Sequence, residues 1–199
     1  DFFFFEKKDV RSVMGALVYL VKTRLPEYIG ASPFEIQVLT PMRKGELGVE
    51  HLNEVLQYYL NPASESKKEK EGRTGVFREG DKVMQGKNNY KLEWKITNAK
   101  GFSSEEGLGV FNGDMGIIKQ INTYSERITV VFDENREAEY PFSSLDELEL
   151  AYAITIHKSQ GSEYPAVVLP LLSGPPILCN RNLLYTAITR AQKCVAIAV

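Results

Sequence analysis

Cysteine and histidine are scarce in this chain of 199 residues, which contains two of each. Cys179 and Cys194 form no CxxC pair, whereas a zinc site needs several Cys or His ligands at characteristic spacings. The sequence therefore argues against a zinc site. Both cysteines lie in apolar or helical surroundings, which predicts reduced, partly buried thiols of a cytoplasmic protein.

Long apolar runs and a strong excess of one charge are also absent. No run reaches the roughly 18 apolar residues that cross a bilayer, and the start lacks the basic region of a signal peptide, so we expect no membrane partner. The net charge of −2 gives no global basic field, so a nucleic-acid site would need a local patch. Asp1 precedes an apolar strand without an initiator Met, and we expect a piece of a longer protein.

The GxxxxGK[ST] loop that cradles nucleotide phosphates does not occur in the sequence. Ile128–Glu134 imitates the magnesium-binding strand of nucleotide hydrolases, because four apolar residues precede Asp133 and Glu134. Asn135, Arg136 and another short strand follow, as in a hairpin. We therefore interpret Asp133-Glu134 as a β-turn.

Apolar strands alternate with helical patterns over both ends of the chain. From Asp9, a plausible N-cap, apolar residues recur at helical spacing up to Leu25, and Pro26 and Gly30 should end this helix. The other predicted strands and helices of these regions are Phe2–Phe5 (a strand buried on both faces), Phe34–Leu39 (strand), Leu47–Leu60 (helix), Ala151–Ile156 and Ala166–Leu172 (strands), Asn180–Ala191 (helix) and Cys194–Val199 (strand). This order predicts a parallel α/β sheet.

After Phe77 the apolar period changes to about two, which is typical of short β-strands. The predicted strands are Lys82–Gln85, Val110–Phe111, Met115–Ile121, Ile128–Phe132 and Glu137–Tyr140, and Asn112-Gly113 is a type I′ hairpin signal. We predict a small β-barrel at 108–147, inserted into an α/β domain formed by 1–107 and 148–199. Residues 61–76 alternate Lys with Glu and contain few apolar residues, so we predict a mobile loop.

Three groups of polar residues are candidate functional sites. Thr155, His157, Lys158, Ser159 and Gln160 follow a buried strand, and ligands of open α/β sheets bind at such strand ends. The alternative for this group is an ordinary polar connection between two elements. The alternative for Arg43 is a solvated cation in a loop, and the alternative for Arg190 is a cation at a helix end that interacts with the helix dipole. Asn88, Asn89, Tyr90 and Trp94 form a polar-aromatic cluster that suits base stacking, or else a turn with one aromatic on the barrel.

Taken together, Ala153–Gly161 and Leu184–Ala191 resemble motifs V and VI of superfamily 1 helicases. Gln37–Gly45 resembles motif IV, and Asn88–Tyr90 and Val110–Asp114 also belong to the pattern. In this order the set is most similar to the RecD-like branch, which includes the exodeoxyribonuclease V alpha subunit and stand-alone RecD-type helicases. Pif-type helicases share the His-Lys-Ser-Gln-Gly core and are the nearest rival family.

The resemblance implies an ATP-dependent 5′-to-3′ DNA helicase of bacterial recombination and repair. Its fold would be a RecA-like (P-loop NTPase-type) parallel sheet with helices on both faces, interrupted by an SH3-like barrel. ATP with Mg²⁺ would bind between this domain and an N-terminal RecA-like domain, which supplies the phosphate loop and the metal ligands. The partners would be single-stranded DNA, that first domain and other subunits of a recombination complex, and this chain alone should not hydrolyse ATP.

The resemblance also implies a role for each motif residue. Arg190 would be the arginine finger on the γ-phosphate, and Arg43 a second phosphate-sensing arginine. Gly161 and Glu163 would approach the nucleotide, and Gln160 would couple ATP to DNA. The residues facing the single strand would be Thr40, Asn88, Asn89, Tyr90, Thr155, His157 and Lys158. The alternatives are a non-catalytic nucleic-acid-binding module and a barrel that docks proteins.

Overall fold

The computed structural model describes residues 1–73, 75–97, 103–171 and 181–199. These residues form two compact units, one of Asp1–Leu60 with Tyr152–Val199 and the other of Asn61–Ala151. The strands, in chain order, are β1 (Phe2–Phe5), β2 (Ile36–Thr40), β3 (Glu69–Glu71), β4 (Val76–Arg78), β5 (Lys82–Gln85), β6 (Asn89–Thr97), β7 (Ser103–Val110), β8 (Met115–Asn122), β9 (Arg127–Phe132), β10 (Arg136–Pro141), β11 (Leu148–Leu150), β12 (Ala153–Thr155), β13 (Tyr164–Pro170) and β14 (Ala191–Ala198). The helices are α1 (Val10–Tyr19), a π-helical turn (Leu20–Arg24), α2 (Leu25–Ile29), α3 (Val49–Leu60) and α4 (Arg181–Ile188), with 3₁₀ turns at Pro33–Glu35, Asp133–Asn135, Phe142–Glu147 and Ile156–Ser159.

The first unit is built on a five-stranded parallel sheet in the order β1-β14-β13-β2-β12. All five residues of β2 are buried, and so are six of the seven residues of β13. Because side chains of a strand alternate between faces, both faces of the central strands are covered, as is usual for parallel sheets. The predicted parallel α/β fold is confirmed.

The first helix begins where the sequence predicts and runs through Pro26 to Gly30, the second of the two residues that were expected to end it. The Asp9 carboxylate accepts a hydrogen bond of 2.8 Å from the Ser12 amide, which makes Asp9 the N-cap. The helix passes through the π-helical turn before Pro26, where the missing proline N–H removes one helical hydrogen bond. It ends at Gly30, whose φ of 67° lies in the left-handed region.

The expectation that Phe2–Phe5 is buried on both faces is wrong. Phe2 and Phe4 are 56% and 60% exposed. β1 is an edge strand of the described sheet, with β14 as its neighbour. One face is covered, where the Phe3 ring meets Tyr28 edge-on at 5.4 Å between ring centres.

The edge strand β12 is held by a side chain of α3. The Asn53 amide donates to the backbone oxygen of Ala153 and accepts from its N–H, both at 2.9 Å. Asn53 is 5% exposed. Its side chain thus pairs, inside the protein, the Ala153 N–H and C=O groups that a neighbouring strand would otherwise pair.

The second unit contains a seven-stranded antiparallel sheet in the order β11-β5-β8-β9-β10-β6-β7. The predicted strands at β5, β8, β9 and β10 are confirmed. The long strand β6 was not predicted, and β7 was predicted only at its last residue, Val110. The unit spans Asn61–Ala151 rather than 108–147. Part of the expected loop at 61–76 forms β3, which pairs with β4.

Two turns in this unit were predicted, and one of them has a different geometry. Asp133-Glu134 lies in the connection from β9 to β10, so its interpretation as a hairpin turn is confirmed. At Asn112-Gly113 the Asp114 N–H donates to the Phe111 carbonyl at 2.9 Å, which closes a turn. Gly113 has a φ of 99° but Asn112 has no positive φ, so the turn is not type I′. β7 and β8 are also not neighbours in the sheet.

Candidate functional site

The carboxyl edge of the parallel sheet carries the first predicted group. Thr40 ends β2 directly beside Thr155, which ends β12. Thr40 is fully buried and its hydroxyl donates to the backbone oxygen of Leu47 at 2.7 Å. The Thr155 hydroxyl accepts from the Lys158 N–H at 3.3 Å. Both hydroxyls hold the loops that follow their strands.

The basic side chains beyond these two threonines are more accessible. His157 is exposed and Lys158 is half-buried on the 3₁₀ turn that follows β12. Arg43 is exposed after β2, and its side chain makes no hydrogen bond or ion pair within the described ranges. These three residues form a cationic edge, a name kept below for Arg43, His157 and Lys158.

The opposite, amino edge of the sheet carries Arg190 and Glu163. Arg190 directly precedes β14 and Glu163 directly precedes β13, and the Tyr164 N–H donates to the Arg190 backbone oxygen at 2.8 Å. The Glu163 carboxylate is exposed and accepts from the Gln192 side chain at 3.3 Å. The backbone of Arg190 is therefore tied to a central strand.

The Arg190 guanidinium is held by oxygen atoms that carry no formal charge. It donates to the backbone oxygens of Thr186 and Ser162 at 3.2 and 3.3 Å, and to the Thr189 hydroxyl at 3.3 Å. No carboxylate pairs with it within the part of the chain that the structure describes. The side chain is thus oriented while its charge stays uncompensated, which suits an anionic ligand.

Gln160 and Gly161 lie between the two edges, on the segment that leads from the 3₁₀ turn to β13. Both are exposed. Gly161 has a φ of 88°, a left-handed conformation that glycine adopts without steric cost. The Ser162 N–H donates to the Ser159 backbone oxygen at 3.1 Å and closes this turn. One short segment therefore connects the carboxyl edge with the amino edge.

The structure does not bring Arg43 and Arg190 together, although both were expected at one phosphate. Arg43 follows the carboxyl end of β2, whereas Arg190 precedes the amino end of β14 in the same parallel sheet. At about 3.3 Å per residue, the Ile36–Thr40 strand alone separates these edges by roughly 13 Å. The geometry groups Arg43 with the candidate DNA residues.

Tyr164 is a residue beside Arg190 that sequence reasoning missed. It is 7% exposed, and its hydroxyl has no hydrogen-bond partner within the described residues. Burial raises the pKa of this phenol, whereas the neighbouring Ser162 side chain and, to a smaller extent, the Arg190 charge act in the opposite direction. The strand predicted from the sequence began only at Ala166, so Tyr164 was assigned no role.

The polar-aromatic cluster of the second unit is tied together by its amides. The Asn88 side-chain oxygen accepts from the Asn112 N–H at 2.9 Å, and its amide nitrogen donates to the Tyr90 hydroxyl at 3.2 Å. The Asn89 amide nitrogen donates to Glu147 at 2.9 Å. Both asparagines therefore join neighbouring segments of this unit.

Two aromatic rings of this cluster face solvent. Tyr90 is 68% exposed and Phe111 is 43% exposed, and their rings meet edge-to-face with 5.7 Å between centres. Trp94 is not part of this pair, because it packs on Gly107 and lies 5.6 Å from the Arg136 guanidinium carbon.

A buried hydrogen-bond chain lies behind the cluster. The Tyr140 hydroxyl donates to the Gln85 side-chain oxygen at 2.8 Å, and the Gln85 nitrogen donates to Glu147 at 3.1 Å. Burial is the main cause that holds the pKa of Tyr140 far above its ordinary value, and the Glu147 charge adds to it. This phenol therefore keeps its proton and remains a hydrogen-bond donor. Glu147, which also accepts from Asn89, links this chain to the cluster.

Among the residues that the structure describes, no three His, Cys, Asp or Glu side chains come together as a metal site. Next to Arg190, at the start of β13, the amino edge offers the carboxylate of Glu163, and one carboxylate does not make a magnesium ligand set. None of the described helices is long and apolar enough to span a membrane.

Comparisons with known proteins give two family matches and several relatives. Residues 52–132 match the ATP-dependent RecD-like DNA helicase SH3 domain, and residues 150–198 match the UvrD-like helicase C-terminal domain. The chain is 39% identical over 160 residues to the ATP-dependent RecD2 DNA helicase of Deinococcus radiodurans, covering 80% of this chain and 19% of that protein. It is 30% identical over 163 residues to the RecBCD enzyme subunit RecD of Mycolicibacterium smegmatis, covering 82% and 25% respectively.

The fold is similar to that of Bacteroides Pif1 bound to single-stranded DNA. The TM-score is 0.51 at 15% identity, over 92% of this chain and 48% of that one. This chain spans about a fifth of the length of the Deinococcus relative.

Proposed function

Since the chain belongs to the RecD-like family of DNA helicases, we propose that it forms the second motor domain and the SH3-like unit of an ATP-dependent 5′-to-3′ helicase. The intact protein would bind ATP with Mg²⁺ between this domain and a first RecA-like domain, and would move along single-stranded DNA in the bacterial cytoplasm. Other subunits of a recombination complex are further candidate partners, since several relatives are RecBCD subunits.

The oriented and uncompensated guanidinium of Arg190 is the observation that carries this proposal. Phosphoryl transfer depends on positive charge placed at the transferring group, and an arginine finger supplies that charge. Arg190 would act as the finger. Glu163, which shares its sheet edge, and Gly161, where no side chain blocks approach, would contact the nucleotide. Because no group of three possible metal ligands occurs among the described residues, the metal would be held by the first domain.

The cationic edge would bind the phosphates of the single strand. Arg43, His157 and Lys158 follow adjacent strands at one edge, and phosphate contacts position DNA without reading its sequence. Arg43 then serves as a DNA contact, which fits its separation from Arg190 better than a role at the γ-phosphate. Thr40 and Thr155 would support this edge through the loops that their hydroxyls hold.

Gln160 would couple the two sites, because it lies on the segment that joins the two sheet edges. A shift of Gly161 and Glu163 on nucleotide binding would be transmitted over a few residues to His157 and Lys158. Repeated ATP binding and hydrolysis would then alternately strengthen and weaken the binding of this edge to DNA.

Exchange of Arg190 for alanine in the full-length protein tests the proposal. We expect Arg190→Ala to lower DNA-stimulated ATP hydrolysis by about three to five decades and to leave single-strand affinity unchanged. Arg181→Ala is the matched control, because Arg181 is an exposed arginine at the start of α4 and should retain turnover.

Wild-type turnover by Arg190→Ala would remove Arg190 from the finger role. A full-length wild-type protein that binds single strands but hydrolyses no ATP would instead indicate a non-catalytic binding module.

A further inference from the structure

We infer that Tyr90 and Phe111 together form a stacking platform for one unpaired nucleobase. The inference rests on the proposed function, which supplies the single strand, and it assigns Phe111 a role that the motif comparison did not give it. It also makes Asn88 and Asn89 positioning residues rather than DNA contacts. The ligand class is a base of single-stranded DNA, held through its π-face.

The two rings expose apolar surface that the fold does not use. Their edge-to-face contact at 5.7 Å places the two ring planes at 70°, so one ring supports the other without covering its face. Tyr90 and Phe111 are 68% and 43% exposed. An aromatic face open to solvent beside a second ring is the arrangement on which nucleobases stack in single-strand-binding proteins.

The rings are also held in place before any ligand binds. The Asn88 amide joins the Tyr90 hydroxyl to the N–H of Asn112, the residue next to Phe111. Gly109 has a φ of 99°, and a Cβ atom there would lie 2.9 Å from the Phe111 ring. Glycine thus lets this ring fold back over its own strand. Preorganised rings lose little conformational entropy when a base binds.

Three carboxylates near the platform, those of Asp114, Asp146 and Glu147, are engaged in hydrogen bonds or ion pairs. Asp114 accepts from the Phe111 N–H at 3.1 Å and lies 3.6 Å from Arg136. Asp146 pairs with Lys87 at 2.9 Å, and Glu147 accepts from Asn89. These contacts reduce the repulsion that free carboxylates would exert on the DNA phosphates.

The described hydrogen bonds of both amides are directed into the protein, which leaves the ring faces as the main contact with a base. Asn88 bonds to Asn112 and Tyr90, and Asn89 bonds to Glu147 and to the Lys91 N–H. We therefore expect stacking without sequence preference, as a motor that moves along any strand requires.

The test uses the full-length protein and two oligonucleotides of equal length, one of thymidines and one with abasic sites throughout. We expect Tyr90→Ala and Phe111→Ala each to weaken binding to the thymidine strand about 5- to 100-fold. Neither variant should change binding to the abasic strand, which offers phosphates but no bases. Tyr90→Phe should lose much less affinity than Tyr90→Ala, because it keeps the ring and gives up only the hydroxyl that bonds to Asn88.

Tyr124→Ala is the matched control. Tyr124 belongs to the same unit, is 99% exposed and makes no ring contact within the described residues. Its removal should leave binding to both oligonucleotides unchanged.

The outcomes separate the platform from the proposed function. Suppose that the wild-type protein binds both strands, and that the alanine variants either bind both as well as wild type or show an equal loss of affinity for both. The platform proposal is then wrong, while the helicase proposal stands. If wild type binds neither strand, the proposed function fails. A loss confined to the thymidine strand supports the platform.

Discussion

The buried hydroxyl of Tyr164 is a polar group without a described hydrogen-bond partner beside the proposed arginine finger. An unsatisfied buried hydroxyl costs about 1–3 kcal/mol of folding free energy. Arg190 lies close enough to influence the pKa of this phenol. The Ser162 side chain also acts on this phenol, but no hydrogen bond of ordinary geometry compensates its burial within the described residues, so the hydroxyl lowers stability beside the proposed nucleotide site.

We predict that Tyr164→Phe raises the free energy of unfolding by up to about 1 kcal/mol, measured by urea denaturation followed by circular dichroism. Removing the hydroxyl eliminates an uncompensated polar atom and leaves the ring packing intact. Tyr185→Phe serves as control, since Tyr185 is 70% exposed and should show no change. A destabilised Tyr164→Phe protein would mean that the hydroxyl has a stabilising partner.

Small polar residues explain why the candidate sites could be only partly predicted from sequence. Thr40 and Asn88 occupy motif positions, and the motif pattern indicated ligand contacts for both. In the structure the Thr40 hydroxyl bonds to Leu47, and Asn88 bonds to Asn112 across the second unit. Their partners are fixed by the tertiary fold, which residue spacing alone does not reveal. Arg190, in contrast, was predicted at the end of a helix, and in the structure it lies two residues beyond the end of α4.

At the scale of elements, the edge strand β12 depends on the helix α3. Asn53 supplies the two hydrogen bonds that a neighbouring strand would give to Ala153. Thr155 at the end of the same strand caps the turn that carries His157 and Lys158 of the cationic edge. The position of that edge is therefore coupled to one helical side chain.

We predict that Asn53→Ala lowers the free energy of unfolding by about 2–4 kcal/mol, because two buried backbone groups lose their partners. The change would be measured as a shift of the urea midpoint. Glu54→Ala, at the exposed neighbouring position, should shift stability by less than about 0.5 kcal/mol. Equal stability of the two variants would show that the Asn53 bonds contribute little.

Elements with a clear apolar period were predictable, and those formed by tertiary pairing were not. Asp9 and its apolar stripe indicated α1 correctly, since capping and spacing are local properties. β7 was largely missed, because Ser103–Val110 contains Glu and Gly residues that rarely favour strands. It forms a strand through its pairing with β6. The π-helical turn at Leu20–Arg24 likewise has no signal in the local sequence.

At the scale of the whole molecule, the domain limits could not be predicted from the change of period alone. The second unit begins at Asn61 and ends at Ala151, because β5 pairs with both β8 and β11. These pairings join distant parts of the chain. The first unit is likewise built from two separated segments, so its sheet edges combine residues from both ends.

Arg43 and Arg190 lie at opposite edges of the parallel sheet in the first unit, so we expect their exchange to affect different activities. We expect Arg43→Ala in the full-length protein to weaken single-strand binding and to reduce the slope of log affinity against log salt by about 0.7, as for one lost phosphate contact. ATP hydrolysis at saturating DNA should remain near wild type. Arg190→Ala provides the reciprocal control, with an unchanged salt slope. An unchanged slope in Arg43→Ala, together with lost hydrolysis, would return Arg43 to the nucleotide site.

Trp94 is the single tryptophan of this chain, and it lies in the second unit against Gly107 and Arg136. Tryptophan fluorescence of the chain therefore has one source, on the strand that also carries Tyr90. The parallel-sheet unit contains tyrosine and phenylalanine but no tryptophan, so it contributes no emission when tryptophan is excited selectively. A change of emission on adding an oligonucleotide thus reports directly on the SH3-like unit, without any attached dye.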